Sequence, residues 1–193
     1  MKELLKFALI LGCIAAVSAT ALAYVYAITQ PKILLQQEKE LNEALQVVIP
    51  ETESGVILSE QDSTGKEAYY AAYQNADTSG LIGYAVLAES KGYSSTIRTL
   101  VGVDTLYDIF RIKVLSEQET PGLGTRCEEV KSGETTPWWQ NQFAGQPGAD
   151  VALAVDGGSI QAITGATITS RAVTNGIASS VSQLKESLTH ISE

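Results

Sequence analysis

From Phe7 to Ile28 the chain reads FALILGCIAAVSATALAYVYAI, a run without a single charged side chain. No other stretch restricts the fold so tightly. As a helix rising 1.5 Å per residue it reaches about 30 Å, the thickness of a bilayer's hydrocarbon core. Its polar members, Ser18 and Thr20, are small. Lys2 and Lys6 precede it, and Tyr24 and Tyr26 fall at its far end, where aromatic rings favour the interface. A cleaved signal peptide has a shorter apolar region and a small-residue cleavage site. The run AVSATALA contains such sites, and Gly12-Cys13 would suit lipoprotein processing. The length favours a retained anchor over both. The positive-inside rule then leaves Lys2 and Lys6 in the cytoplasm and everything after Thr29 outside, with Lys32 as an opposing charge.

The side-chain inventory removes several chemistries. Among 193 residues there is one histidine, His190, and two cysteines, Cys13 and Cys127. A zinc site needs about four Cys, His or carboxylate ligands. Ser-His-Asp and Cys-His sites need a core histidine. Haem and iron–sulfur centres lack their ligand sets. Redox chemistry here would need an organic cofactor. The net charge of −9, with no basic cluster beyond the extreme N-terminus, argues against nucleic acid. Cys13 lies in the apolar run, so Cys127 has no evident disulfide partner and reads as a buried thiol.

After the anchor, Pro31 to Val48 places Leu34, Leu41, Leu45 and Val48 on one helical face. Pro31 suits a first helical turn and Pro50 a stop, so a separate amphipathic helix is expected, docking to the domain. From Thr52 the texture turns to strands: Gly55–Ser59, Glu67–Gln74, Gly80–Ser90, Ser94–Asp104 and Thr105–Leu115, rich in Val, Ile, Tyr and Thr. Turn residues at Asn75–Gly80 and Lys91–Gly92 imply antiparallel neighbours. Tyr69, Tyr70, Tyr73 and Tyr84 read as packing residues of the sheet. Glu119 to Gly124, ETPGLG, is a Pro-Gly turn, either a plain loop or a close backbone approach to a flat ligand. Cys127–Asp150 reads as helical or irregular. Its Trp138 and Trp139 either anchor a loop on the core or line an aromatic cofactor. Asp150–Val155 reads as a final strand.

The stretch Asp156 to Arg171, DGGSIQAITGATITSR, follows. Beyond it Val173, Ile177, Val181, Leu184 and Leu188 recur at helical spacing. Hydroxyls and glycine ahead of such a stripe mark a helix start. The unpaired N–H groups and positive dipole end of a first turn can hold an anion.

Three features make the chain resemble the FMN-binding domain of the RnfG and NqrC subunits of membrane redox complexes. TGATITS at Thr164 to Ser170 is similar to the family's flavinylation motif, with Asp156 upstream. ETPGLG at Glu119 to Gly124 is the second. The third is the order: one membrane helix, GYSSTIRTLVGVD at Gly92 to Asp104, ETPGLG, a tryptophan-bearing segment, then TGAT. Ser94-Ser95 stand where the family often has glycines. The resemblance covers essentially the whole chain, and its length is more like RnfG than the longer NqrC.

The resemblance implies FMN held as a phosphoester on Thr167. Gly165 and Ala166 leave room for the phosphate and for a flavin transferase. Thr164, Thr169 and Ser170 would donate hydrogen bonds to phosphate oxygens or cap the helix. Glu119 and Thr120 would contact the ring or its ribityl chain. Leu123 would supply apolar surface, and backbone N–H groups near Gly122–Gly124 would bond the ring's polar edge. The implied role is an electron-carrying subunit of an Rnf-type ion-translocating ferredoxin:NAD oxidoreductase rather than a stand-alone enzyme. Its partners would be RnfA-, RnfB-, RnfC-, RnfD- and RnfE-like subunits. An NqrC-like subunit of a sodium-pumping NADH:quinone oxidoreductase and a flavin-free tethered module are the alternatives. The expected architecture is α+β: a single transmembrane helix (about 7–28, within 1–29), an amphipathic connection (30–50), and an extracytoplasmic FMN-binding domain (51–193) of mainly antiparallel strands with flanking helices.

Overall fold

The computed structural model describes residues 2–49, 56–61, 67–75 and 77–191. One helix, α1, runs from Lys2 to Val48. It does not restart at Pro31. Proline lacks the N–H that would bond back one turn and normally kinks or breaks a helix, yet here the helix carries Pro31 in its interior. The separate amphipathic helix expected from Pro31 is therefore the continuation of the apolar one. The start expected for the first strand and the connection through Pro50 lie outside the described residues.

The chain forms two compact units, residues 1–41 and 42–193. The first is helix alone. Its apolar side chains stand exposed, Leu9 and Val17 among them, and it is long and apolar enough to cross a membrane.

The second unit is built on a five-stranded antiparallel meander: β1 (Val56–Gln61), β2 (Glu67–Tyr73), β3 (Leu81–Lys91), β4 (Thr96–Asp104) and β5 (Ile109–Ser116), each paired with its sequence neighbour. These are the five expected strands, with ends shifted by a few residues. β4 is an interior strand, pairing Val101 with Val86 on one side and with Ile112 on the other. It is buried on both faces. Ile97, Val101 and Val103 face the main core, together with Val86 and Ala88 of β3. On the other side the last turns of α1 come so close that any side chain at Gly102 would strike the Val48 carbonyl. Ala44, Leu45 and Val48 are buried in these last turns.

Helix α2 (Thr167–Ile191) covers the main core. It buries the expected stripe, with Val173, Ile177, Val181 and Leu184 at 3 % exposure or less. Each such side chain contributes roughly 1.5–3 kcal/mol on burial. Between β5 and α2 the chain makes short 3-10 turns at Gly124–Glu128, Gln140–Phe143, Gly148–Asp150 and Ala154–Asp156.

The final strand expected at Asp150–Val155 does not form. Val151 and Leu153 are buried as in a strand, but the backbone bonds locally, Ala154 N–H to Ile160 carbonyl and Ile160 N–H to Ala152 carbonyl. A single bridge, Leu153 to Ile160, is all the pairing there. Alternating burial imitates a strand without joining the sheet.

The tryptophan pair anchors the loop. Trp139 is fully buried, edge-on to Phe143 at 5.1 Å, and its indole N–H donates to the Gln161 carbonyl at 2.8 Å. Trp138 lies under the Lys131 ammonium at 4.2 Å and donates to Glu129. Trp139→Ala should cost about 3–5 kcal/mol, the usual loss for emptying an aromatic core site. Trp139→Phe should cost less, about 1–3 kcal/mol, as the Gln161 carbonyl loses its shorter donor and keeps only the Gln142 amide at 3.4 Å. Denaturant unfolding of the purified chain measures both; since both variants lose the indole N–H, equal losses would refute volume as the main contribution.

Candidate functional site

Two glycine turns build the site. In Thr120-Pro121-Gly122-Leu123 the Leu123 N–H returns to the Thr120 carbonyl at 3.1 Å, and Gly122 takes φ +76°. In Ile163-Thr164-Gly165-Ala166 the Ala166 N–H returns to Ile163 at 2.9 Å, and Gly165 takes φ +79°. Positive φ at the third residue is the type II signature, and only glycine adopts it without strain. The turns meet, since a Cβ on Gly165 would lie 3.1 Å from a Leu123 methyl. Helix α2 starts straight after the second turn, with Thr167 as its first residue.

A cleft of about 550 Å³ opens there, lined by Tyr93, Glu119, Thr120, Leu123, Gly124, Gly165, Ala166, Thr167, Ile168 and Thr169. Residues far apart in sequence thus share one wall. Of the expected residues, Gly122, Thr164 and Ser170 are outside the lining. Ser170 is buried, accepting from the Ile163 N–H and donating to the Ala166 carbonyl, both at 2.9 Å. It shapes the TGAT turn from beneath.

Glu119 does not point a free carboxylate into the cleft. It is 5 % exposed. Oε1 accepts from the backbone N–H groups of Ser94 and Ser95, each at 2.9 Å, and from the Ser95 hydroxyl at 3.1 Å. Oε2 accepts from the Tyr93 N–H at 3.0 Å and from the Thr169 hydroxyl at 2.5 Å. Burial pushes its pKa up. The Thr169 hydroxyl and the Ser94, Ser95 and Tyr93 N–H groups outweigh that, holding it at about 2. A Cβ on Gly124 would come within 2.5 Å of the Glu119 Cβ, and one on Gly92 within 2.7 Å of its Oε1. The carboxylate is packed between two backbones.

These bonds engage donors that the resemblance assigned to the cofactor. Thr169 gives its hydroxyl proton to Glu119 rather than offering it to an anion. In the ETPGLG turn the Gly122 N–H donates to the Thr125 hydroxyl at 3.0 Å, and the Leu123 N–H closes the turn. Neither is open to a ring edge, because a tight turn consumes its own donors.

Thr167 is different. It is exposed at the first position of α2, where the first N–H groups of a helix have no partner within it. One turn on, Arg171 clamps Asp156 with two bonds, Nε at 2.7 Å and Nη2 at 2.9 Å. The Arg171 hydrogen bond holds the exposed Asp156 carboxyl below its ordinary value. This pair ties the loop before TGAT to the helix after it. Cys127 lies buried, and burial pushes its thiol up to about 12, so it is inert.

The cleft fits an organic cofactor with a phosphate. Its volume falls within the range of small-molecule sites. Leu123 and Ile168 offer exposed apolar surface. Thr167 presents a hydroxyl at an anion-favouring helix start.

Comparisons with known proteins agree with this geometry. Residues 92–182 match the FMN-binding domain family, and residues 1–48 match the RnfG N-terminal region. The first match contains every residue that lines the cleft. The RnfG protein of the ion-translocating oxidoreductase complex of Methanosarcina acetivorans is 35 % identical over 93 % of this chain and 94 % of its own length. The chain belongs to the RnfG family. The corresponding protein of the Na(+)-translocating ferredoxin:NAD(+) oxidoreductase complex of Acetobacterium woodii, 32 % identical, covers 93 % of this chain and 91 % of its own length. The proton-translocating counterpart from Clostridium ljungdahlii, also 32 % identical, covers 87 % and 84 %. Among solved structures, Shewanella oneidensis NqrC aligns over 73 % of both chains with 20 % identity and a TM-score of 0.44, too distant to bear on function.

Sequence reasoning about this RnfG-family chain missed Tyr93, Ile168 and Arg171. Tyr93 and Ile168 sit inside quoted motifs, and the signal was a large apolar residue at a turn for Tyr93 and on the first turn of a helix for Ile168. Arg171 signals itself as a cation four residues beyond Thr167 with an acid upstream.

Folding lowers the pKa of Glu119, so its stabilisation is complete above the ordinary value of 4.5 and is lost as pH falls from there through about 2. That stabilisation is on the order of 3 kcal/mol. Glu119→Gln should lose a comparable amount at neutral pH and flatten the stability curve between pH 4.5 and 2. Thermal unfolding across that window checks it. An unchanged acid slope in the variant would assign the slope to other carboxylates.

Proposed function

We propose that this chain carries FMN as a phosphoester on Thr167 and relays electrons within an Rnf-type ion-translocating oxidoreductase. The observation that carries the reading is Thr167 itself: an exposed hydroxyl at a helix start, on the wall of a cofactor-sized cleft. Membership of the RnfG family and the match to an FMN-binding domain support the cofactor's identity.

The attachment chemistry is a phosphoryl transfer. The Thr167 hydroxyl gives up its proton and forms an O–P bond to the flavin phosphoryl. The donor is an activated flavin dinucleotide, whose pyrophosphate bond breaks so that the nucleoside monophosphate leaves with the electron pair. A separate flavin transferase performs the step. The first N–H groups and the dipole of α2 favour the remaining phosphate charge. Gly165 and Ala166 put no bulk beside the hydroxyl. Asp156 and Arg171 hold the flanking loop to the helix, and Ser170 holds the turn from below. Bound FMN supplies the redox chemistry, and the protein supplies position and electrostatics.

The chain would sit in the cytoplasmic membrane by α1 as a single-pass protein. In this reading residues 1–29 form the anchor segment, 30–50 the connection and 51–193 an extracytoplasmic domain. RnfA-, RnfB-, RnfC-, RnfD- and RnfE-like subunits would complete the complex. A covalent tether suits a carrier outside the membrane, where a dissociated flavin would be lost.

Full chain made with a flavin transferase, denatured in acid and run on a gel, should keep flavin fluorescence on its band. Thr167→Ala should lose it entirely. A fluorescent Thr167→Ala band would refute the site, and a colourless wild-type band would refute the cofactor. Purification from native membranes should bring down the other subunits, and isolation of the chain alone would count against the complex.

A further inference from the structure

The loop at Gly92 to Ser95 contributes to the cleft. It is the β3–β4 hairpin turn, closed by the Gly92 N–H donating to the Ser95 carbonyl at 2.8 Å. Tyr93 lines the cleft from this turn, with 69 % of its surface exposed. Turn positions ordinarily carry small polar residues. A large aromatic ring exposed on a concave wall leaves apolar area that an incoming flat ligand would cover.

The turn is also held with unusual care. Its three consecutive N–H groups, from Tyr93, Ser94 and Ser95, all converge on Glu119. The Ser95 hydroxyl donates to Glu119 and in turn accepts from the Gln118 N–H at 2.9 Å. Successive N–H groups curled around an anion form a nest whose geometry the anion fixes. Glu119 reaches the other wall of the cleft as well, through Thr169 of α2 and by packing on Gly124. One carboxylate thus sets where Tyr93 stands relative to the helix start that carries Thr167.

We propose that Tyr93 is the aromatic wall against which the flavin ring lies, and that Glu119 is a positioning residue that holds this wall over the cleft. This rests on the Thr167 reading above, because the tether fixes where a ring can reach. Aromatic pairs prefer offset-stacked or edge-to-face contact, and such a contact biases the bound geometry by roughly 2- to 10-fold. Glu119 acts through the turn's backbone, not by touching the ring.

The test uses the full chain loaded by a flavin transferase, with attachment scored on the acid gel. Fluorescence yield and anisotropy of the native protein report the ring. Compared per attached flavin, Tyr93→Leu should raise the yield by at least about twofold as the stacked ring is removed, and lower the anisotropy. Tyr93→Trp should keep the yield low. Glu119→Gln, which places an amide donor against three N–H groups, should raise the yield although Tyr93 is still present. Tyr93→Leu combined with Glu119→Gln should go no higher than Tyr93→Leu alone, since both act on one contact. If Glu119→Gln does not fold, Ser95→Ala removes a single bond to the carboxylate and should give a smaller rise of the same kind. Yield and anisotropy unchanged in Tyr93→Leu, with flavin attached, would overturn the wall. A rise in the double variant beyond Tyr93→Leu would overturn the positioning role. Wild-type chain without attached flavin would refute the Thr167 reading and this inference with it.

Discussion

The buried carboxylate of Glu119 is the interaction on which the site's geometry depends. Three segments distant in sequence meet at its two oxygens: the β3–β4 turn, the Pro-Gly turn and the first turn of α2. None of these segments is held by sheet pairing at that point. A charge taken out of water is costly unless every lone pair finds a donor. Here five donors converge on it, three backbone N–H groups and two hydroxyls. The requirement that all five be in place makes the arrangement single-valued, because losing one partner leaves a buried charge short of a bond.

The rest of the second unit provides rigid supports for that junction. The meander fixes the β3–β4 turn through the register of β4 between its two neighbours. The stripe of α2 fixes the helix start by burying Val173 and Ile177 against the sheet. Trp139 pins the irregular stretch before TGAT by bonding Gln161, two residues ahead of Ile163. Asp156 and Arg171 close the last gap on the surface. Each support uses a different kind of interaction, so the cleft inherits its shape from core packing, hydrogen bonding and an exposed ion pair together. The exposed pair contributes little stability by itself, and its effect lies in the direction it gives the loop.

Thr167 stands apart from this network. Its neighbours Thr169 and Ser170 have their hydroxyls engaged with Glu119, Ala166 and Ile163, whereas Thr167 faces solvent. Among hydroxyls crowded into seven residues, the fold leaves this one presented at the start of a helix and beside the cleft.

The sequence by itself determined a good deal. The charge-free run from Phe7 forces a long apolar helix, because its side chains have no other way to satisfy a bilayer-length stretch. Enrichment in Val, Ile, Tyr and Thr, with turn residues between the runs, marked all five strands, and the 3.6-residue stripe from Val173 to Leu184 marked α2. The paired motifs ETPGLG and TGAT located both halves of the cleft and the family. Local patterns are legible because each encodes a period or a turn within a few residues. Tertiary structure decided what those patterns cannot encode. Pro31 stays inside one helix despite its missing donor, and Val151 and Leu153 alternate in burial without joining the sheet, because partners and not periodicity determine pairing. Glu119 and Thr169 are fifty residues apart, and their bond turns two expected ligand contacts into a clasp. Hydrogen bonds between distant segments depend on where the backbones meet, and that is settled only when the whole core has packed.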